Sequence, residues 1–193
     1  MKKMIYFGVI LALTMCVSNG FAQDTMKPDG KTETSGKKNS DSKFMMMAAT
    51  SSMNEIGLSN TALSKSTNEE IKKFAQTAVD DHTAASEELK PIAMSKNVTL
   101  PTEMDAKHKA ANEKLSALSG EEFDKEYIKL MVKDHEKAVA MFQKQADNGK
   151  DAEAKAFAAK TLPTLQGHLD MARSMMTKMS GGKMSDDKMK SGI

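Results

Sequence analysis

Glu55, His82, His135 and His168 are the side chains in this sequence whose types and spacing could do chemistry together. Each lies on the apolar stripe of its own helical segment. Ala48, Ser51, Glu55, Leu58 and Ala62 step by three and four, and so do Ile71, Ala75, Ala78, His82, Ala85, Leu89 and Ile92. Ile128, Met131, His135, Ala138 and Phe142 form a third stripe, and Phe157, Leu165, His168, Ala172, Met175 and Met179 a fourth. Three- and four-residue steps line one face of a helix, the face that turns to a core. The four residues also sit at matching depths. Glu55 is 11 residues before Ser66 and His82 is 16 after it, about 17 and 24 Å at a rise of about 1.5 Å per residue. His135 is 14 residues before Gly149 and His168 is 17 after Asp151, about 21 and 26 Å by the same rise. Four helices paired through those turns would bring all four groups to mid-bundle.

An unpaired carboxylate in a dry interior must protonate or find a partner, and three buried imidazoles each need hydrogen-bond partners. One divalent transition metal would satisfy all of them together, and three imidazoles with one carboxylate suit Zn²⁺, Fe²⁺ or Cu²⁺. The plainer alternative is a polar core of hydrogen-bonded histidines that fixes helix register without metal. The segments around two of the histidines repeat as Val-x-Asp-His-x-x-Ala, at Val79 to Ala85 and Val132 to Ala138, which suggests two related halves. Asp81 and Asp134 point about 100° away from the adjoining His. Each either serves an imidazole on a neighbouring helix or, more simply, is solvated.

The elements that must position these groups are all helical. The first is expected over 44–64. The second starts at Ser66 or Thr67, each with Glu three residues on as in a capping box, and stops near Asn97. A short crossover helix follows over 102–118, with His108 as a boundary residue beneath it. The third long helix opens with Ser119 and Glu122 as a second capping box and closes at Asn148-Gly149, and the fourth is capped by Asp151. Pro91 and Pro163 are expected to kink the helices that contain them. The fold class is therefore all-α, a four-helix bundle over 44–179 with an extra helix between the second and third long helices. The segment 23–43 is too polar to offset its ordering entropy and reads as a disordered tether, and 180–193 reads as a flexible Met/Lys/Gly tail.

Residues 1–22 read as a secretory leader: basic Lys2 and Lys3, an apolar run from Ile5 to Val17, and Gly20-Phe21-Ala22 before the cut. Cys16 invites a lipoprotein reading, but the Leu13-Thr14-Met15 that precedes it puts bulk where a small residue is needed. Removal of the leader takes away the one Cys, and with it thiolate catalysis or thiolate metal sites. The balance of 28 Lys plus Arg against 26 Asp plus Glu vanishes with Lys2 and Lys3, so nothing suggests nucleic-acid binding. The mature chain has no transmembrane segment, and no protein partner can be read from it. No Ser-His-Asp order or phosphate-cradling Gly loop is present, so no catalytic residues are assigned.

Asn54-Glu55-Ile56-Gly57-Leu58, Phe74-Ala75 with Asp81-His82, Gly120 to Tyr127 with Met131-Val132 and His135, and Leu162 to Leu165 with His168-Leu169 occur in order. On these motifs, from about Phe44 to Met176, the chain resembles the secreted bacterial family known as domain of unknown function 4142. The resemblance implies a ferritin-like four-helix bundle, periplasmic or outer-membrane export, and no established activity. Ferritin-like di-iron sites use Glu-x-x-His pairs. Here Val79, Val132 and Leu165 stand three residues before the histidines, so the bridging carboxylates are missing.

Methionines crowd the first helix (Met45, Met46, Met47, Met53) and the end of the chain (Met171, Met175, Met176, Met179, Met184, Met189). Thioethers are pliable core fillers, and also soft ligands suited to Cu(I). The combined expectation is an exported bundle holding a single divalent transition metal. A metal-free structural or stress-protective envelope protein and Met-assisted copper handling are the alternatives. Export should leave a mature chain beginning at Gln23, which intact-mass measurement of the exported protein checks; a diacylated species starting at Cys16 would overturn the leader assignment.

Overall fold

The periodic segments become five helices in the computed structural model, which describes the backbone of residues 33–190 and the side chains of residues 40–181. They are α1 (Glu33–Lys65), α2 (Glu69–Ser95), α3 (Ala106–Ser116), α4 (Gly120–Asn148) and α5 (Ala152–Lys190). No strand occurs among the described residues, and none of their helices is long and apolar enough to cross a membrane. The leader assigned to residues 1–22 lies outside the described residues.

Local chemistry explains most of the boundaries. Asn68, rather than Ser66 or Thr67, caps α2: its Oδ1 accepts from the backbone N–H groups of Glu70 and Ile71, while Ser66 Oγ accepts from Asn68 N–H. At the other end, Asn97 adopts a φ of 55°. Its N–H reaches the Met94 carbonyl and the Val98 N–H reaches Ala93, which is the paired bonding that ends a helix at a left-handed residue. Ser119 precedes α4 in an extended conformation but makes no capping hydrogen bond. The chain instead enters α4 through Gly120 at a φ of 56°, a conformation glycine adopts without steric cost. Asp151 caps α5 as expected, accepting from Glu153 and Ala154. Pro163 is accommodated inside one continuous helix.

Two boundaries differ from expectation. Helix α1 begins at Glu33, inside the segment read as a tether over 23–43. Within the part read as tether, Asp41 is buried. Its carboxylate accepts from Gln145 Nε2 at 2.7 Å, Lys150 N–H at 3.1 Å and Asp151 N–H at 3.0 Å. A residue that composition marks as solvated is thus the clasp of the α4–α5 turn. Helix α5 likewise continues to Lys190, past the end at 179 that composition suggested.

The long helices form two antiparallel hairpins, α1 with α2 and α4 with α5, and α1 lies beside α4 while α2 lies beside α5. Phe44 of α1 packs against Phe142 near the end of α4 and Phe157 near the start of α5, with Leu89 and Ala93 of α2 in the same cluster. The opposite end gathers Leu58, Ile71, Phe123, Tyr127 and Leu169. Helices α2 and α4 therefore run the same way, and the connection between them must travel the length of the bundle. Helix α3 lies on that route and covers α1 and α4. Asn54 and Thr61 of α1 hold it through Asp105 and Asn112, and Met104 crosses α1 over Gly57, where any Cβ would collide with its Sδ-methyl group.

Asp41→Ala should lower the unfolding free energy by about 3 kcal/mol in urea titrations, because two backbone N–H groups and an amide lose a charged acceptor. Asp151→Ala should cost only about 1 kcal/mol as an ordinary cap. A smaller loss for Asp41→Ala than for Asp151→Ala would show that the clasp does not hold the turn.

Candidate metal centre

Between the two apolar ends lies a polar layer made by one residue from each long helix. Glu55 (α1), His82 (α2), His135 (α4) and His168 (α5) are all buried, none more than 5% exposed. Glu55 Oε2 is 2.7 Å from His82 Nε2 and 3.1 Å from His135 Nε2. His135 Nε2 is 3.3 Å from His168 Nδ1. One ring nitrogen from each of the three histidines lies within 4.8 Å of the other two. All four residues expected at mid-bundle are therefore brought together. His108 stays outside the cluster, half-buried against Asp105 Oδ2 at 2.7 Å, Asn54 and Asp134.

The outward nitrogens decide which way the inward ones face. His135 Nδ1 is 2.9 Å from the Met131 carbonyl, which can only accept, so Nδ1 carries the hydrogen. His168 Nε2 is 2.9 Å from Asp81 Oδ2 and donates to that carboxylate. Asp81 is therefore not simply solvated: it orients an imidazole on the neighbouring helix, which its 100° offset from His82 permits. Asp134, its counterpart in the sequence repeat, faces the other way, to Lys137 at 2.7 Å and His108 Nε2 at 3.5 Å. Ser51, one turn before Glu55 on the same stripe, donates to Glu55 Oε1 at 3.1 Å. The sequence signals for these supports are slight: an Asp beside each of two His, and residues four positions before Glu55 and His135.

With both outward nitrogens donating, the neutral ring forms of His135 and His168 would turn bare lone pairs toward each other and, at His135, toward an oxygen of Glu55. Acceptors do not bond acceptors, so a cation must sit among them, either a proton or a metal ion. Glu55 Oε2 and His82 Nε2 sharpen the point: they are close, but lie off the directions a hydrogen bond requires and have no hydrogen-bond partner. Ligand bonds of about 2.0–2.2 Å in tetrahedral array separate donor atoms by about 3.3–3.6 Å. The 3.3 Å spacing matches that, the 3.1 Å spacing falls just short of it, and the 2.7 Å pair would open by about 0.6 Å or more. The surroundings are dry: Phe74 packs edge-on or tilted against His135 and His168, and Tyr127 bonds Ser59 beneath.

Charge follows the same geometry. Burial pushes the Glu55 carboxyl up, but the nearby His82 and His135, together with the Ser51 hydrogen bond, outweigh it and hold the group at about 2. Burial pushes His82 down, and Glu55 outweighs that to raise it. His168 is lowered, by burial first and by its neighbouring imidazoles, against the pull of Asp81. Without metal, these shifts keep Glu55 ionised and favour a proton on His82 over one on His168.

The raised His82 stabilises the fold below its ordinary range near 6.5 and loses that contribution as pH climbs through its folded value. The lowered Glu55 contributes above about 4.5 and is lost as pH falls toward about 2. In metal-free protein followed by NMR, the His82 ring should titrate above 6.5 and the His168 ring below it. Glu55→Gln should drop His82 below 6.5; unchanged titration would mean that Glu55 does not set the charge of the centre.

The family model described as Domain of unknown function (DUF4142) matches residues 26–175, and no curated protein shows a significant match. Among solved structures, a DUF305 fragment from Deinococcus radiodurans is similar at 16% identity, with 72% of this chain and 96% of that chain covered and a TM-score of 0.65. CopM in its Cu(II)-bound form is similar at 20% identity over the same shares of the two chains, with a TM-score of 0.62. Its Cu(I)-bound form gives 19% identity, again with 72% and 96% covered, and a TM-score of 0.61. At these identities the likeness shows a shared helical-bundle fold. The match over most of its length shows that this chain belongs to the DUF4142 family.

Proposed function

We propose that this protein binds one divalent transition-metal ion at mid-bundle, with Glu55 Oε2, His82 Nε2, His135 Nε2 and His168 Nδ1 as its ligands. The observation that carries this reading is the convergence of acceptors: two oriented imidazole lone pairs and a carboxylate oxygen meet where only a cation can satisfy them. The Asp81–His168 and Met131–His135 bonds are the kind of support that fixes ligand tautomers in metal sites. Three imidazoles and a carboxylate suit Zn²⁺, Fe²⁺ or Cu²⁺. Likeness to a protein solved with Cu(II) and with Cu(I) favours copper among them. The exposed thioethers of Met46, Met47, Met171 and Met176 would suit Cu(I) before it reaches the core. Glu55 is the one carboxylate among the proposed ligands, so the bridging pair of a di-iron oxidase is not supplied. The leader-like residues 1–22 support a working place outside the cytoplasm.

A second reading also has an observation behind it. The raised His82 and lowered Glu55 describe a buried ion pair that a proton can maintain, as in a metal-free structural bundle. Metal content separates the two. Untagged protein from the exported fraction should carry close to one equivalent of Zn, Fe or Cu by elemental analysis. The stripped protein should rebind that ion at one per chain and gain about 4 kcal/mol of stability at a free-ion concentration a thousandfold above Kd. Apparent affinity should rise with pH, since His82 must lose its proton to ligate. His82→Ala and His135→Ala should abolish the gain, and His108→Ala should keep it. Native protein with no bound ion, and no saturable binding by the stripped form, would leave the ion-paired structural bundle as the function.

A further inference from the structure

The proposed ligands are sealed from solvent, so an ion needs a route, and one face of the bundle differs from the other three. Helix α3 lies over α1 and α4 there and leaves a cavity of about 290 Å³ between the three helices. Of the four proposed ligands only Glu55 borders that cavity. Its carboxylate faces both ways: Oε2 is turned to the imidazoles, and Oε1 takes the hydroxyl of Ser51, which also lines the cavity. The walls carry donors of both kinds, hard in Asp105 and Asp134 and borderline or soft in His108, Met47 and Met141. Asp105 is held anionic at about 2, burial being outweighed by the N–H groups of His108 and Asn54. Two cations oppose a metal ion at the rim: Lys107, and Lys137, which is tied to Asp134 Oδ1 at 2.7 Å.

We infer that this cavity is the entry path of the central site: the ion enters between α1, α3 and α4, passes Asp105, His108 and Asp134, and is delivered to the imidazoles by Glu55. This rests on the metal-binding reading above. Glu55 suits the task because rotation of one carboxylate moves an oxygen from the cavity side to the imidazole side. Among the described residues, Ser51 is the hydrogen-bond partner it must release on the cavity side. The mouth should then govern how fast the ion arrives and leaves, whereas the four ligands govern how tightly it is held.

Stopped-flow loading of stripped full-length protein, with whichever of Zn²⁺ or Cu²⁺ equilibrium titration finds bound, tests the inference. Thr50→Trp, which narrows the cavity from its α1 wall, should slow association and dissociation together by about tenfold, with stoichiometry and Kd held within twofold. Lys137→Ala should speed association severalfold at low ionic strength and lose that advantage in high salt, as charge steering requires. Circular dichroism and melting of each variant confirm that it is folded, and Thr50→Met replaces Thr50→Trp if the latter is not. Loading rates unmoved by either bulky variant, with wild-type binding intact, would overturn the entry path alone. Absence of binding by wild-type protein would overturn the metal reading and the path with it.

Discussion

A carboxylate and three imidazoles, sealed between two apolar clusters and turned so that acceptor faces acceptor, are the constraint on which the rest of this bundle depends. Glu55 in that setting carries a desolvation cost that its neighbours must offset. They do so collectively: Ser51 takes one oxygen, while His82 and His135 approach the other. Such a layer is compatible with one register of the four helices. Sliding α2, α4 or α5 by a turn along its stripe would replace an imidazole by an apolar side chain, and sliding α1 would replace the carboxylate by Ser51 or Leu58, stranding the partners in each case. The alanines on the same stripes serve that demand, since small residues bring the backbones close enough for short side chains to meet across the axis.

The arrangement also accounts for what lies around the layer. Each imidazole whose outer nitrogen is bonded has been given an acceptor there, the Met131 carbonyl for His135 and Asp81 for His168. The inner nitrogens are thereby turned inward as lone pairs. Phe74 excludes water from two of the rings. Polar atoms dried and oriented in this way hold a cation better than they hold each other. A proton on His82 meets part of that need, and a metal ion would meet all of it. In the metal-binding reading proposed above the two occupants compete, and pH sets the competition.

The Val-x-Asp-His repeat suggests two related halves, and the fold breaks the symmetry between them. Asp81 turns to His168 on the adjoining helix. On the other side the corresponding core residue is Glu55, which needs no acceptor, and Asp134 is free to turn to His108 on the crossover helix. The crossover exists because α2 and α4 run parallel, so the chain must return along the bundle before α4 can begin. It makes one face unlike the others, and the cavity that reaches Glu55 lies on that face.

The periodicity of the sequence determined the all-helical class, the four stripes, the depth of the four buried groups and the crossover between the second and third long helices. These follow from spacing along single helices and from turn length, which are local quantities. Asp151 as a cap and Asn97 as a stop were legible for the same reason. Tertiary structure decided the rest: which helices adjoin, that Asp81 serves His168 while Asp134 serves His108, and that Glu55 lies beside His82 and His135. It also drew Asp41 into the core, although composition alone assigns it to a tether. Those outcomes depend on pairings far apart in the chain, where a charged residue is solvated or buried according to the partner that the packing brings to it. The helical period records which face a side chain occupies, and only the packed bundle supplies what that face meets.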